Sequence, residues 1–126
     1  MDAQMEAKKV SPGELTEMAG PPEIRRREAI AGPGLWAGLA TTQAGLASGW
    51  HHHDGHDTVV YLLAGRITIE FADGSPALEA QAGDFLLIPK GRVHREITGA
   101  EGEADTVVIR CGGEGAHTVE VEDPSG

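Results

Sequence analysis

Residues 50–65 read Trp50-His51-His52-His53-Asp54-Gly55-His56-Asp57-Thr58-Val59-Val60-Tyr61-Leu62-Leu63-Ala64-Gly65. Four imidazoles crowd into six positions, and an apolar run follows them until a glycine ends it. Val59–Leu63 is rich in β-branched and aromatic residues and reads as a buried strand. Successive strand side chains point to opposite faces, so His51 and His53 share one face and His52 takes the other. If the shared face is interior, two buried neutral imidazoles without partners are costly. A divalent metal satisfies both, since imidazole suits Zn, Cu, Fe and Ni. The cluster is internal and flanked by strand sequence, which argues against a purification tag.

Downstream, Arg66-Ile67-Thr68-Ile69-Glu70-Phe71 alternates strictly, with Ile67, Ile69 and Phe71 expected inside and Arg66, Thr68 and Glu70 outside. Ala72-Asp73-Gly74 signals a hairpin. Phe85–Ile88 is a second buried run, and Pro89-Lys90-Gly91 makes a turn before a strand beginning Val93-His94-Arg95-Glu96. By alternation Glu96 shares the face of His94, so three imidazoles and one carboxylate are expected to converge. Thr106–Arg110 and Thr118–Val121 continue the series, and Leu35–Thr41 precedes it. About eight short strands with turns every 8–12 residues argue for an all-β barrel or sandwich. The expected cavity walls are Leu62, Ile67, Ile69, Leu86 and Ile88.

These residues resemble the cupins. The first cupin motif runs G-x5-H-x-H-x3-4-E-x6-G, and Gly45, His51, His53 and Gly65 stand at its places. The second runs G-x5-P-x-G-x2-H-x3-N, and Gly83, Pro89, Gly91 and His94 match it. The resemblance implies a single jelly-roll (double-stranded β-helix) barrel with a metal held by His51, His53 and His94. Two positions depart from the pattern: Thr58 stands where the family has its metal-binding Glu, and Thr98 where it has Asn. Asp57 is a carboxylate one position away, facing the wrong way on a regular strand unless a bulge turns it. The stretch from His51 to Gly65 is also locally similar to the first motif of pirins, which take their fourth ligand two residues after the last His. That resemblance points to Glu96. The fourth position is therefore expected to fall to Glu96, to Asp57 or to water, with Glu96 and Asp57 the candidate catalytic carboxylates.

The flanks carry less. The 126-residue chain fits one domain. Residues 1–33 are expected to form an arm packed on the barrel or on a partner subunit, 34–121 the barrel and 122–126 a polar tail. Ser11-Pro12-Gly13-Glu14 looks like a helix start, giving one or two helical turns over 12–19 before Gly20-Pro21-Pro22. Arg25-Arg26-Arg27 reads as a solvated turn, the alternative being an arm that clamps a partner subunit or an anionic substrate. His52 and His56 are expected to be exposed or to support the ligands, and Trp36 and Trp50 to pack at core or rim. With 10 basic against 20 acidic residues the net charge is −10, which repels nucleic acid and anionic membranes. The first ten residues carry two acids and no apolar run, so no signal peptide is expected. The longest apolar run, Val59–Ala64, falls far short of the roughly 20 residues that span a bilayer. A single cysteine, Cys111, forbids an intrachain disulfide, fits a reducing cytoplasm, and reads as a small buried hydrophobe.

The functional expectation is a barrel holding one divalent transition metal (Fe, Mn, Ni, Zn or Cu) and taking a small oxygenated organic molecule. The resemblance favours dioxygenase-like chemistry. The alternatives are a metal-dependent isomerase or lyase, or a non-catalytic module that senses or carries a ligand or metal. The resemblance also implies a homodimer, and residues 1–30, which lack a core of their own, are expected to pack on the partner barrel.

Overall fold

A computed structural model describes residues 6–112 and 119–123. The chain is almost entirely β. Eleven strands form two antiparallel sheets among these residues. They are β1 (Thr16–Glu17), β2 (Ile24–Gly32), β3 (Leu35–Thr42), β4 (His51–His52), β5 (His56–Ala64), β6 (Arg66–Phe71), β7 (Leu78–Gln81), β8 (Phe85–Ile88), β9 (His94–Thr98), β10 (Ala104–Gly112) and β11 (Val119–Glu120). One sheet runs β1-β2-β3-β10-β5-β8 and the other β11-β4-β9-β6-β7. The chain crosses from one sheet to the other between β3 and β4, β4 and β5, β5 and β6, β7 and β8, β8 and β9, β9 and β10, and β10 and β11. This repeated crossing is the jelly-roll arrangement expected of the motif spacing.

The alternation read from sequence decides which side chains fill the interior. Val60, Leu62, Leu86, Ile88 and Ala104 from one sheet meet Ile67, Ile69 and Ala80 from the other, with Phe71 packed against them. Leu62 and Ile88 are fully buried. Each such side chain contributes about 1.5–3 kcal/mol through burial. Gly65 links β5 to β6 at φ 87°. This left-handed conformation suits glycine, and the turn carries the chain between sheets.

The N-terminal segment differs from expectation. Instead of a helix over 12–19, Pro12–Glu14 makes one 3-10 turn. Glu14 N donates to Ser11 O at 2.8 Å, and Ser11 N donates to Glu14 Oε1 at 3.0 Å. The cap signal was real, but Thr16 and Glu17 then pair with Glu28 and Arg27, and that ladder replaces further helical turns. Within the expected arm, Ile24–Gly32 forms β2 and is packed onto the barrel. It pairs with β3 from Ile24↔Thr42 to Gly32↔Leu35, with an irregularity between Glu28 and Ile30. The arginine triplet thus lies in a strand rather than a turn, and Arg25 pairs with Glu17. Cys111, expected to be buried, is exposed near the end of β10. No helix among the described residues is long and apolar enough to cross a membrane.

Candidate metal centre

Three histidines from three points in the chain meet inside the barrel. His51 opens β4, His53 follows β4, and His94 opens β9, directly opposite His51 in the ladder. Their ring centroids are 4.4 Å (His51–His94), 5.0 Å (His53–His94) and 5.2 Å (His51–His53) apart. All three are buried, His94 completely. One potential ligand atom from each lies within 4.8 Å of the other two. The Asp54-Gly55 turn, closed by His56 N donating to His53 O at 3.2 Å, starts β5 directly beyond the site. Gly91, at φ 75°, shapes the turn after Pro89 that brings His94 in from the other side.

The hydrogen bonds orient the rings. His51 Nδ1 lies 2.9 Å from Gly49 O, and His94 Nδ1 lies 2.8 Å from Arg92 O. A carbonyl oxygen only accepts, so each Nδ1 carries the proton and each Nε2 keeps its lone pair. His94 Nε2 is buried without a hydrogen-bond partner. Burial is the main reason that His94 is held below the ordinary imidazole pKa, the Arg92 carbonyl and Glu96 acting in the opposite sense. Its ring therefore stays neutral near neutral pH, which is the ligating form. A buried imidazole nitrogen with a lone pair, no partner and two neighbouring imidazoles is the donor set a borderline divalent metal requires. The residues fit the group, as the expected ligand set demanded.

The carboxylates are placed differently. Glu96 points inward from β9, as its shared parity with His94 predicts, and lines an interior cavity of about 50 Å³ together with His53. Its backbone is pinned to Ser48, whose Oγ accepts from Glu96 N at 2.9 Å and whose N donates to Glu96 O at 2.8 Å. Glu96 is not a member of the tight three-histidine group. Asp57 does not join them. It is exposed, β5 alternates regularly from His56 through Leu62 with no bulge to turn it, and its Oδ1 accepts from Lys90 N at 2.9 Å. That bond ties β5 to the Pro89 turn.

Other expectations need amendment. His56, read as exposed or supporting, is buried on the inward parity of β5. His52 is half-buried and paired with Val119. Of the expected walls, Ile67 lines the cavity, whereas Leu62, Ile69, Leu86 and Ile88 pack into the core. Trp36 is core packing, with its Nε1 donating to Glu28 Oε1 at 2.8 Å. Among the other lining residues are Arg26, Thr58 and Arg110. Parity held the signal for Arg110, which shares its face with Thr106 and Val108. Arg26 belongs to the triplet whose alternative reading is a clamp on an anionic substrate, although four consecutive charged residues mask any alternation in β2.

The family profile described as Cupin domain matches residues 38–110, which span both histidine motifs. The chain belongs to the cupin family. Among curated proteins, an uncharacterised protein YdbB of Bacillus subtilis is 48% identical over 46 residues, 36% of this chain. The chain spans only 40% of that relative. Two solved cupin-like folds illustrate the structural likeness. KdgF from a Halomonas species is 18% identical, with a TM-score of 0.73 over 86% of this chain and 96% of that one. The polyketide cyclase RemF from Streptomyces resistomycificus is 20% identical, with a TM-score of 0.74 over 94% and 90%. At these identities the likeness concerns the fold.

Proposed function

We propose that this cupin is a metal-dependent enzyme acting on a small oxygenated organic molecule, with His51, His53 and His94 holding one divalent transition metal. The observation that carries the reading is the buried, unpartnered Nε2 of His94 facing two further imidazoles. When bound, such a metal supplies Lewis acidity toward a carbonyl or enediol oxygen, or activates dioxygen. Glu96, on the wall beside His53, is the proposed fourth ligand or proton acceptor. The barrel's remaining work is to exclude bulk water and orient the substrate, which falls to the side chains lining the cavity that His53 and Glu96 share.

The cupin and pirin resemblance favours dioxygenase-like opening of phenolic, flavonol or diketone compounds. A metal-dependent isomerase or lyase is the second reading, supported by the fold shared with a polyketide cyclase. Oxygen uptake and substrate loss by Fe-, Mn- and Ni-loaded protein separate the possibilities. Uptake matching substrate loss, absent in His51→Ala, supports the dioxygenase. Conversion that persists under anaerobic conditions supports the second reading. Binding with no conversion of any compound contradicts catalysis and leaves a sensing or carrying module.

We also propose a homodimer. On the outer face of the barrel Leu63, Phe85 and Leu87 are exposed, Phe85 to 72%, along the edge formed by β5 and β8. An apolar edge of this kind is suited to covering by a second barrel. Light scattering at micromolar concentration is expected to give twice the chain mass, and a monomer contradicts the proposal.

A further inference from the structure

The net charge of −10 hides a cavity of the opposite sign. Arg26 from β2 and Arg110 from β10 both line the space that His53 and Glu96 share, and Glu96 is its only carboxylate among the described residues. Neither arginine makes an ion pair within 4 Å among the described residues. Arg110 is packed against the ring of Trp36, with its guanidinium carbon 5.6 Å from the ring centroid. Its Nε is buried without a hydrogen-bond partner. Beside it in the β5–β10 ladder stands Thr58, register partner of Arg110, whose Oγ1 is also buried without a partner. Directly paired residues on one face of a sheet hold their Cβ atoms about 4.5–5.5 Å apart.

Burial and the nearby Arg26 charge together press the Arg110 pKa down to about 10, against the pull of Glu96. The guanidinium still carries its charge at neutral pH. A half-buried guanidinium whose Nε donor is buried and unused is costly unless something anionic meets it. The planar guanidinium matches a carboxylate bidentately, and an adjacent hydroxyl adds a donor. One positive charge remains in the cavity after Glu96 offsets the other, before any metal adds its own. A water needs roughly 10–15 Å³ of such space, so about 50 Å³ takes about four waters or a small acid of similar bulk.

We propose that Arg110 and Thr58, with Arg26, form a carboxylate-recognition subsite, and that the substrate of this cupin is a small organic acid. The inference rests on the metal-enzyme reading only for what the other end of the substrate meets. The carboxylate docks on the arginines, and a neighbouring carbonyl or hydroxyl oxygen then lies toward the three histidines.

The test is calorimetric titration of zinc-loaded protein with pyruvate, a carboxylate bearing an adjacent carbonyl, and with acetylacetone, a neutral diketone. Pyruvate is expected to bind and acetylacetone to bind at least about tenfold more weakly. Arg110→Gln is expected to weaken pyruvate about 10- to 100-fold, the usual loss of a charge-assisted hydrogen-bonded pair. It should leave zinc content unchanged. Thr58→Val removes the hydroxyl, keeps the shape, and is expected to weaken pyruvate about 3- to 10-fold without loss of zinc. It serves as the independent arm should Arg110→Gln not fold. Unchanged pyruvate affinity in a folded, zinc-loaded variant of either kind overturns the subsite, as does tighter binding of acetylacetone than of pyruvate by wild type. Failure of the wild-type protein to hold zinc or any other divalent metal overturns the metal-enzyme reading instead. In that case pyruvate binding to the metal-free protein, weakened in Thr58→Val, still supports the subsite.

Discussion

Replacing His94 with alanine is expected to lower metal affinity more than 100-fold while the barrel stays folded. Loss of a residue that merely supports a ligand typically costs roughly 10–100-fold, so loss of a ligand itself costs at least that. His94 is also the ring whose loss should harm the metal-free fold least for its burial. Its Nε2 has no partner, so deletion removes an unsatisfied buried polar atom even as it opens a cavity. Circular dichroism should therefore show native β content in a protein that no longer retains metal through dialysis. His52→Ala is the control, because His52 faces the opposite side of β4 and pairs with Val119. Retention of metal by His94→Ala, or its loss in His52→Ala, contradicts the ligand assignment.

A large effect on stability is expected at Gly65. Its φ of 87° lies where side chains with a Cβ are strained, and a Cβ there would sit 2.6 Å from Glu103 O and 2.8 Å from Ala104 Cα. Both are backbone atoms and cannot swing aside. Gly65→Ala should cost about 3 kcal/mol or more, the conformational penalty of roughly 1–2 kcal/mol plus the clash. Gly83 offers the comparison. Its φ is 95°, but an added Cβ would meet nothing within 4 Å, so Gly83→Ala should cost only the conformational part. Urea midpoints for the two variants, at unchanged slope, separate the terms. Equal losses would show that the contact with the β10 entry contributes nothing.

Both expectations start from motif positions that were legible in the sequence, and the reason is local. Strand alternation placed His51 and His53 together, and the fixed spacing to Pro89, Gly91 and His94 brought the third ring from a distant strand. Strict alternation likewise assigned Ile67 and Ile69 to the core. Where periodicity is absent, reading failed. The run Arg25-Arg26-Arg27-Glu28 carries no apolar rhythm, so no strand is legible there, although β2 pairs with β3 along its length. The cap at Ser11 announced a helix that lasted one turn, because competition from the β1–β2 ladder is a tertiary effect invisible in a dipeptide pattern. Asp57 illustrates the limit of residue type. A carboxylate near the ligand position invited a metal role, yet its neighbours' parity sends it outward to Lys90.

The account stands or falls on metal content, measured by elemental analysis of untagged protein beside His51→Ala. About one transition metal per wild-type chain, absent from the folded variant, is the predicted result. A wild-type protein that takes up none after incubation with Fe(II), Mn, Ni or Zn would contradict it.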